Sequence, residues 1–264
     1  MQLTKHHGLG NDFLVALTDE VPDLGAHLAR AWCHRTHGIG ADGLIFGTPV
    51  DDADLRMTLF NSDGSRAEIS GNGIRCLAQA AFAKVGGNEL TIATDGGTRR
   101  LELIAAAGNE AQIGVEMGEV TLDAEPVDLD RVRRPSFAAQ RAMTGSVGNP
   151  HVVIEVDSLD EIDPAIDGPA IEAAWKPEGI NVHFLAATGP ETIRLVHWER
   201  GAGVTEACGS GATVSATVAN HWGLVPGTVH VAMPGGAADV IVGSPARLLG
   251  PAVHVADVMI AEAV

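Results

Sequence analysis

Apolar residues along this chain follow two rhythms. Leu55, Met57 and Leu59 alternate with polar neighbours from Asp54 to Phe60, the period of a half-buried strand. Leu24, Leu28, Ala31 and Trp32 recur at helical spacing and predict a helix over 23–37. The first 18 residues predict a strand, a glycine turn (Gly8-Leu-Gly-Asn-Asp12) and a second strand, Phe13 to Leu17. Further strands are expected at Leu44–Phe46 and over 112–122, with a helix from Gly71 to Ala83. Leu90–Thr94 and Arg100–Ile104 predict a hairpin around Asp95-Gly96-Gly97. Downstream come a strand at Val152–Val156, a helix over 160–174 and an apolar run ending at Phe184. Thr192–Trp198 follows as a strand and 209–222 as a helix. Thr228–Ala232 and Asp239–Val242 predict a second hairpin, and Ala252–Ile260 a last strand. Strands outnumber helices and hairpins dominate, so the fold class is α+β with mixed or antiparallel sheets.

The two halves follow one design. Asn61-Ser-Asp-Gly-Ser-Arg-Ala-Glu-Ile-Ser70-Gly-Asn-Gly-Ile-Arg-Cys76 is echoed by Glu199-Arg-Gly-Ala-Gly-Val-Thr-Glu-Ala-Cys208-Gly-Ser-Gly-Ala-Thr213. Cys208 follows Ser70 by 138 residues, and the same offset pairs Gly10 with Gly148, Asn11 with Asn149 and Phe46 with Phe184. It also pairs Arg56 with Arg194, Glu68 with Glu206 and Gly97 with Gly235. Constant register at polar and glycine positions indicates an internal duplication, two half-chains expected to face a shared cleft. The expected lobes are 1–112 with the tail 251–264, and 113–250.

Composition narrows the function. The 264 residues suffice for two ordinary domains, and 45% apolar content can fill their cores. A net charge of −17 with three lysines repels nucleic acid and anionic membranes, so neither is an expected partner. Three cysteines, Cys33, Cys76 and Cys208, form no disulfide framework and suit a reducing cytoplasm. No stretch reaches the roughly 18 apolar residues of a membrane span, and no signal core follows Met1.

Cys208 is the first candidate for chemistry. It precedes Gly209-Ser210-Gly211, which opens a predicted helix whose free N–H groups favour a thiolate and can hold a carboxylate. A buried, inert thiol at a helix start is the plainer alternative; the matching loop at Ser70 argues for chemistry. Inverting an α-carbon takes a proton from one face and delivers one to the other, which two opposed acid/base groups would do. Gly38-x-Gly40-x-x-Gly43 matches a dinucleotide fingerprint but follows a helix and precedes a strand, the reverse of the required context. Cys33 and His37 on one helical face are too few for a zinc site. No lysine sits in a Schiff-base context, so neither metal nor cofactor is expected.

Eight ordered motifs resemble those of the diaminopimelate epimerase family. They are Lys5-His-His-Gly-Leu-Gly-Asn-Asp-Phe13, Gly38-Ile-Gly-Ala-Asp-Gly43, Asn61-Ser-Asp-Gly-Ser65, Gly71-Asn-Gly-Ile-Arg-Cys76, Gly148-Asn-Pro-His151, Gly179-Ile-Asn-Val182, Glu199-Arg-Gly201 and Ala207-Cys-Gly-Ser-Gly211. The resemblance implies two pseudo-symmetric lobes of sheet wrapped around helices, commonly as homodimers. It implies interconversion of LL- and meso-diaminopimelate, in lysine and peptidoglycan synthesis, without pyridoxal phosphate or metal. By the same resemblance Asn11, Asn61, Asn149, Asn181, Glu199 and Arg200 bind substrate, and the amides at Gly71-Asn72 and Gly209-Ser210 hold the α-carboxylate. Cys208 is one acid/base, assisted by His151 and Glu199. Taken alone, each asparagine also suits a turn and Glu199-Arg200 a surface ion pair.

Ser70 departs from the family pattern, which has the second acid/base cysteine there. A hydroxyl is a far weaker acid than a thiol of pKa ~8.5. Cys76, six residues on, is nearly two helical turns away and cannot replace it. Three readings stay open: an engineered Cys-to-Ser replacement, an epimerase whose Ser70 relays a proton from Glu199, His151 or water, or a related racemase with a Ser/Cys pair. A binder that lost the proton shuttle is a further alternative.

Overall fold

The computed structural model describes residues 1–67 and 70–260, so Glu68 of the repeat pairs lies outside the described residues. The chain divides into two compact parts, one of residues 1–116 with the chain from Leu249 on, the other of residues 117–248. The first part runs β1 (Gln2–Gly8), β2 (Asn11–Leu17), α1 (Gly25–Trp32), β3 (Gly43–Val50), β4 (Ala53–Asn61), β5 (Arg66–Ala67), α2 (Gly71–Val85), β6 (Glu89–Thr94), β7 (Gly97–Ala107) and β8 (Glu110–Gly118). Next come β9 (Thr121–Leu122), β10 (Ala139–Ser146), β11 (Pro150–Val156), α3 (Pro164–Glu172), β12 (Asn181–Gly189), β13 (Thr192–Trp198), α4 (Gly209–His221), β14 (Thr228–Met233) and β15 (Gly236–Ile241). The long β16 (Ala246–Met259) follows.

Both parts use one plan. In the first, β2–β3 is parallel, β3–β4 antiparallel and β4–β6 parallel. In the second, β11–β12, β12–β13 and β13–β14 repeat that order. Parallel neighbours need a crossover, and α1, α2, α3 and α4 lie in those four connections. In the first part the order β1-β2-β3-β4-β6-β7-β8-β16 closes, because β16 also pairs with β1. Closure leaves this eight-strand barrel without a free edge. Helix α2 packs on β1, β2, β3 and β7, and every residue from Asn72 to Phe82 is buried. Apart from Asn72, Arg75 and Gln79, the buried residues of α2 are apolar or small, which suits such an interior. In the second part α4 is covered in the same way by strands from β10 to β15.

The central strands are packed on both faces, which explains their unbroken apolar runs. Leu14, Ala16, Leu44, Phe46 and Phe60 form one core with Ala29 of α1. Ile154, Val182 and Phe184 form another with Ile171 of α3, and Phe137 meets the Phe184 ring edge-on at 5.2 Å.

Several expected elements shift. Helix α1 stops at Trp32 rather than running to 37. The N–H groups of Ile39 and Gly40 turn back onto the Trp32 carbonyl, at 2.8 and 3.0 Å, and so end the helix. Cys33 is therefore buried while His34 and His37 are exposed, and they share no helical face. Helix α3 begins only at Pro164, where Asp163 caps the Ala165 N–H at 2.9 Å and proline takes the first helical position. The strand expected over 112–122 breaks into β8 and β9, and β10 was not expected at all. Among the described residues no helix is long and apolar enough to cross a membrane.

Candidate active site

Two helix N-termini are built alike. Ser70, extended at φ −135° and ψ 121°, caps α2 by accepting the Gly73 N–H at 3.0 Å. Cys208, at φ −120° and ψ 108°, caps α4 by accepting the Gly211 N–H on its sulfur at 3.3 Å. The Ser70 carbonyl takes the Ile74 N–H and the Cys208 carbonyl takes the Ala212 N–H, both at 2.8 Å. Even the side chains one turn on match: Arg75 Nη1 donates to Gly71 O and Thr213 Oγ1 to Gly209 O, each at 2.9 Å. The first N–H groups of each helix have no acceptor inside it, and there the dipole favours an anion. Gly71-Asn72 and Gly209-Ser210 supply those amides.

In the first part, Arg75 is fully buried and, among the described residues, donates to neutral oxygens: Gly71 O, Asn72 Oδ1 at 2.8 Å and Pro251 O at 3.2 Å. Burial lowers its pKa to about 10, so it stays charged at neutral pH. Its charge polarises the Gly71-Asn72 peptide whose N–H lies at the helix mouth. Asn11 donates to Asp42 Oδ2 at 2.7 Å, and Asn72 Nδ2 lies 3.5 Å from Asn11 Oδ1. Asp42 and Asp12 share Arg35, and Lys5 reaches Asp12 at 2.9 Å. Burial would raise the Asp12 pKa, but hydrogen bonds from Arg35 and Lys5 outweigh it and hold it at about 2. Asn61 is exposed at the end of β4 and donates to Ser65 Oγ at 3.0 Å, within a turn. Ser70 is half-buried, and the bond from the Gly73 N–H is its hydroxyl's contact among the described residues.

In the second part Glu199 lies close enough to act on the Cys208 thiol, Arg200 is hydrogen-bonded to Asn181, and Asn149 to His151. Glu199 and Arg200 do not form the surface pair that their adjacency suggested. The Arg200 N–H donates to Asn181 Oδ1 at 3.0 Å and its guanidinium to Glu178 O at 2.7 Å. Asn181 in turn donates to Pro150 O at 2.9 Å. Thr205 Oγ1 donates a short bond to Glu199 Oε1, and the same carboxylate acts on the Cys208 thiol as a neighbouring charge. Ser210 Oγ lies 3.6 Å from the Cys208 sulfur. His151 is wholly buried, with Nε2 on Asn149 Oδ1 and Nδ1 on His183 Nε2, both at 2.9 Å.

The expected thiolate is overturned by this environment. Burial pushes the Cys208 thiol well above its usual range, and the Glu199 carboxylate adds to it; the Gly211 N–H and Ser210 oppose weakly. Burial likewise raises Glu199, against the Thr205 hydroxyl and the Cys208 thiol. A helix terminus contributes about 1 kcal/mol, too little against desolvation and a neighbouring anion.

Sequence reasoning missed His183, His197 and Thr205. His183 and His197 face each other across β12–β13, and their ring centroids lie 5.6 Å apart. Burial lowers His151 to about 3, His183 well below the usual value and His197 to about 4. A Cβ on Gly211 would lie 2.0 Å from His183 Cε1, so this glycine is required by contact. Gly211→Ala is expected to destabilise the second part by about 2–3 kcal/mol. A fall of several degrees in the thermal midpoint checks this; an unchanged midpoint refutes it.

The fold recurs in solved structures of epimerases. One, described as a predicted epimerase of Pseudomonas aeruginosa, superposes with a TM-score of 0.78 at 18% identity, covering 99% of each chain. A hydroxyproline epimerase of Agrobacterium vitis gives 0.70 at 14%, over 97% of this chain and 91% of that one. The chain thus has the fold of this group of epimerases. The Diaminopimelate epimerase family model matches residues 3–122 and 143–255. The diaminopimelate epimerase of Desulfitobacterium hafniense is 38% identical over 97% of this chain and 96% of its own. That of Moorella thermoacetica is 39% identical over 82% of each. The chain belongs to the diaminopimelate epimerase family; the hydroxyproline enzyme is related in fold.

Proposed function

We propose that this protein interconverts LL- and meso-2,6-diaminopimelate by proton transfer at an α-carbon. The matched caps at Ser70 and Cys208 carry this reading, because inversion needs a group for each face and the repeat supplies two. Gly209 and Ser210, like Gly71 and Asn72, offer amides to an α-carboxylate, whose charge grows as the proton leaves. Asn11, Asn61, Asn149, Asn181 and Arg200 supply further polar contacts for the substrate's amino and carboxylate groups.

Cys208 and Glu199 act as a pair. One proton and one negative charge are shared between sulfur and carboxylate, so forming the thiolate moves the proton to Glu199 without adding net buried charge. The thiolate then takes the α-proton. On the other face the Ser70 hydroxyl gives its proton to the α-carbanion and takes one back from water, a slower exchange than the thiol's. The reaction is placed in the cytoplasm, where the three free thiols stay reduced.

Incubation with LL-diaminopimelate in deuterated water, followed by proton NMR, tests the proposal. The expected result is meso product deuterated at one α-carbon, with Cys208-dependent exchange outpacing exchange at the opposite face. Diaminopimelate left unlabelled while proline or hydroxyproline exchanges would overturn the substrate. Resonance shifts with no exchange of any amino acid would overturn catalysis.

A further inference from the structure

We infer that His197, acting through the Thr205 hydroxyl, is the positioning residue that holds the Glu199 carboxylate against Cys208. The inference rests on the acid/base role proposed for that pair. His197 Nε2 lies 2.9 Å from Thr205 Oγ1, and 3.9 Å from Glu199 Oε1. Thr205 Oγ1 meets Glu199 Oε1 directly, and the Glu199 carboxylate acts on the Cys208 thiol as a neighbouring charge.

The direction of this chain follows from counting protons. Thr205 has one hydroxyl hydrogen, and a carboxylate oxygen is its strongest acceptor. The hydroxyl oxygen must therefore accept from His197, which fixes the neutral ring with hydrogen on Nε2. His197 Nδ1 is buried and has no hydrogen-bond partner among the described residues, which agrees: it carries a lone pair rather than an unmatched N–H. The opposite tautomer would bury an unpaired donor and set two lone pairs against each other.

The neighbouring histidines obey the same rule. Asn149 Oδ1 accepts from His151 Nε2, so His151 Nδ1 accepts from His183 Nε2. His183 Nδ1 is then left as a lone pair, and it too is buried without a partner among the described residues. Both orphan nitrogens are acceptors. His183 and Gly211 brace the helix mouth by contact, while His197 reaches the acid/base pair by hydrogen bonds. The titratable groups around His197 are His183 on β12, with His151 behind it, and Glu199 and Cys208 beyond Thr205.

The role predicts coupled effects of two residues that never touch substrate. Thr205→Val keeps shape and removes the hydroxyl; His197→Phe removes the donor. Each is expected to lower kcat by on the order of tenfold or more, with KM nearly unchanged. The double variant is expected to lose no more than the worse single, and Thr205→Ser to retain activity. With Glu199 released, the thiol loses its neighbouring anion. Cys208 alkylation by iodoacetamide, read by peptide mass, should then begin about one pH unit lower or more in both variants.

Additive losses in the double variant, or a wild-type alkylation profile in Thr205→Val, would overturn the relay. Alkylation needs no substrate. If diaminopimelate is not turned over yet both profiles shift, the relay stands and only the substrate falls.

Discussion

Replacing Cys208 with alanine is expected to remove at least about 10³-fold of the epimerisation rate, the upper range for a general acid–base group. The sulfur is the only atom at the α4 cap that can exchange a proton with a carbon acid at neutral pH. Ser210, at 3.6 Å, carries a hydroxyl of much higher pKa. Glu199 remains in the variant but loses the sulfur that shares its proton. Ser70 is the complementary case. Its hydroxyl accepts the Gly73 N–H and has no carboxylate or imidazole bonded to it among the described residues. Ser70→Cys is therefore expected to raise kcat by on the order of tenfold, since a thiol there has a proton it can trade. The α2 cap admits it geometrically, because the α4 cap holds sulfur in the same backbone conformation. The pair of results is read by NMR from both isomers in deuterated water. A Cys208→Ala variant that still inverts at wild-type rate would refute the assignment. A Ser70→Cys variant slower than wild type would show that the hydroxyl, as it stands, is already the better donor.

Stability is expected to fall steeply as pH drops from 6.5 towards 4. His6, His151, His183 and His197 are buried, and burial comes first among the causes that depress each. His6 and His197 are held at about 4 and His151 at about 3. Unfolded, each returns to about 6.5. Between those limits the unfolded chain binds protons that the folded chain refuses, so unfolding is favoured as pH falls. Above 6.5 both states are neutral at these rings and the effect vanishes. Each ring contributes up to ~1.4 kcal/mol per pH unit inside the window. Glu199, raised by burial, partly opposes this from the ordinary carboxylate value upward, and Asp12 begins to lose its ion pairs only below about 4, towards its folded value of about 2. Three of the four histidines lie in residues 117–248, so that part is expected to loosen first. Urea midpoints at pH 7, 6 and 5 check the slope, and His197→Gln should lower it by about one proton. A flat profile from pH 7 to 5 would show that the rings are protonated in the folded state.

Much of the fold is local information. The alternation of Leu55, Met57 and Leu59, the paired turn glycines and the small residues after Ser70 and Cys208 each specify an element by its neighbours in the chain. The repeat from Gly10 to Gly235 let the second half be read from the first, while the equivalent bonds from Arg75 to Gly71 O and from Thr213 to Gly209 O come only from the structure. The misplaced boundaries have local causes that apolar spacing does not register. Trp32 ends α1 through amides of a later turn, and Asp163-Pro164 starts α3 by a cap.

The chemistry of the second helix mouth was decided elsewhere. Cys208 at a helix start reads as an acidic thiol, and only the fold shows that it is buried beside Glu199. His183 and His197 look like ordinary strand residues until β12 and β13 pair and set them opposite each other. Periodicity and capping are fixed by residues within about one turn of each other, so the sequence alone determined the elements and their duplication. Burial, charge neighbours and proton direction depend on residues brought together by strand pairing, so only the tertiary structure decided what each titratable group can do.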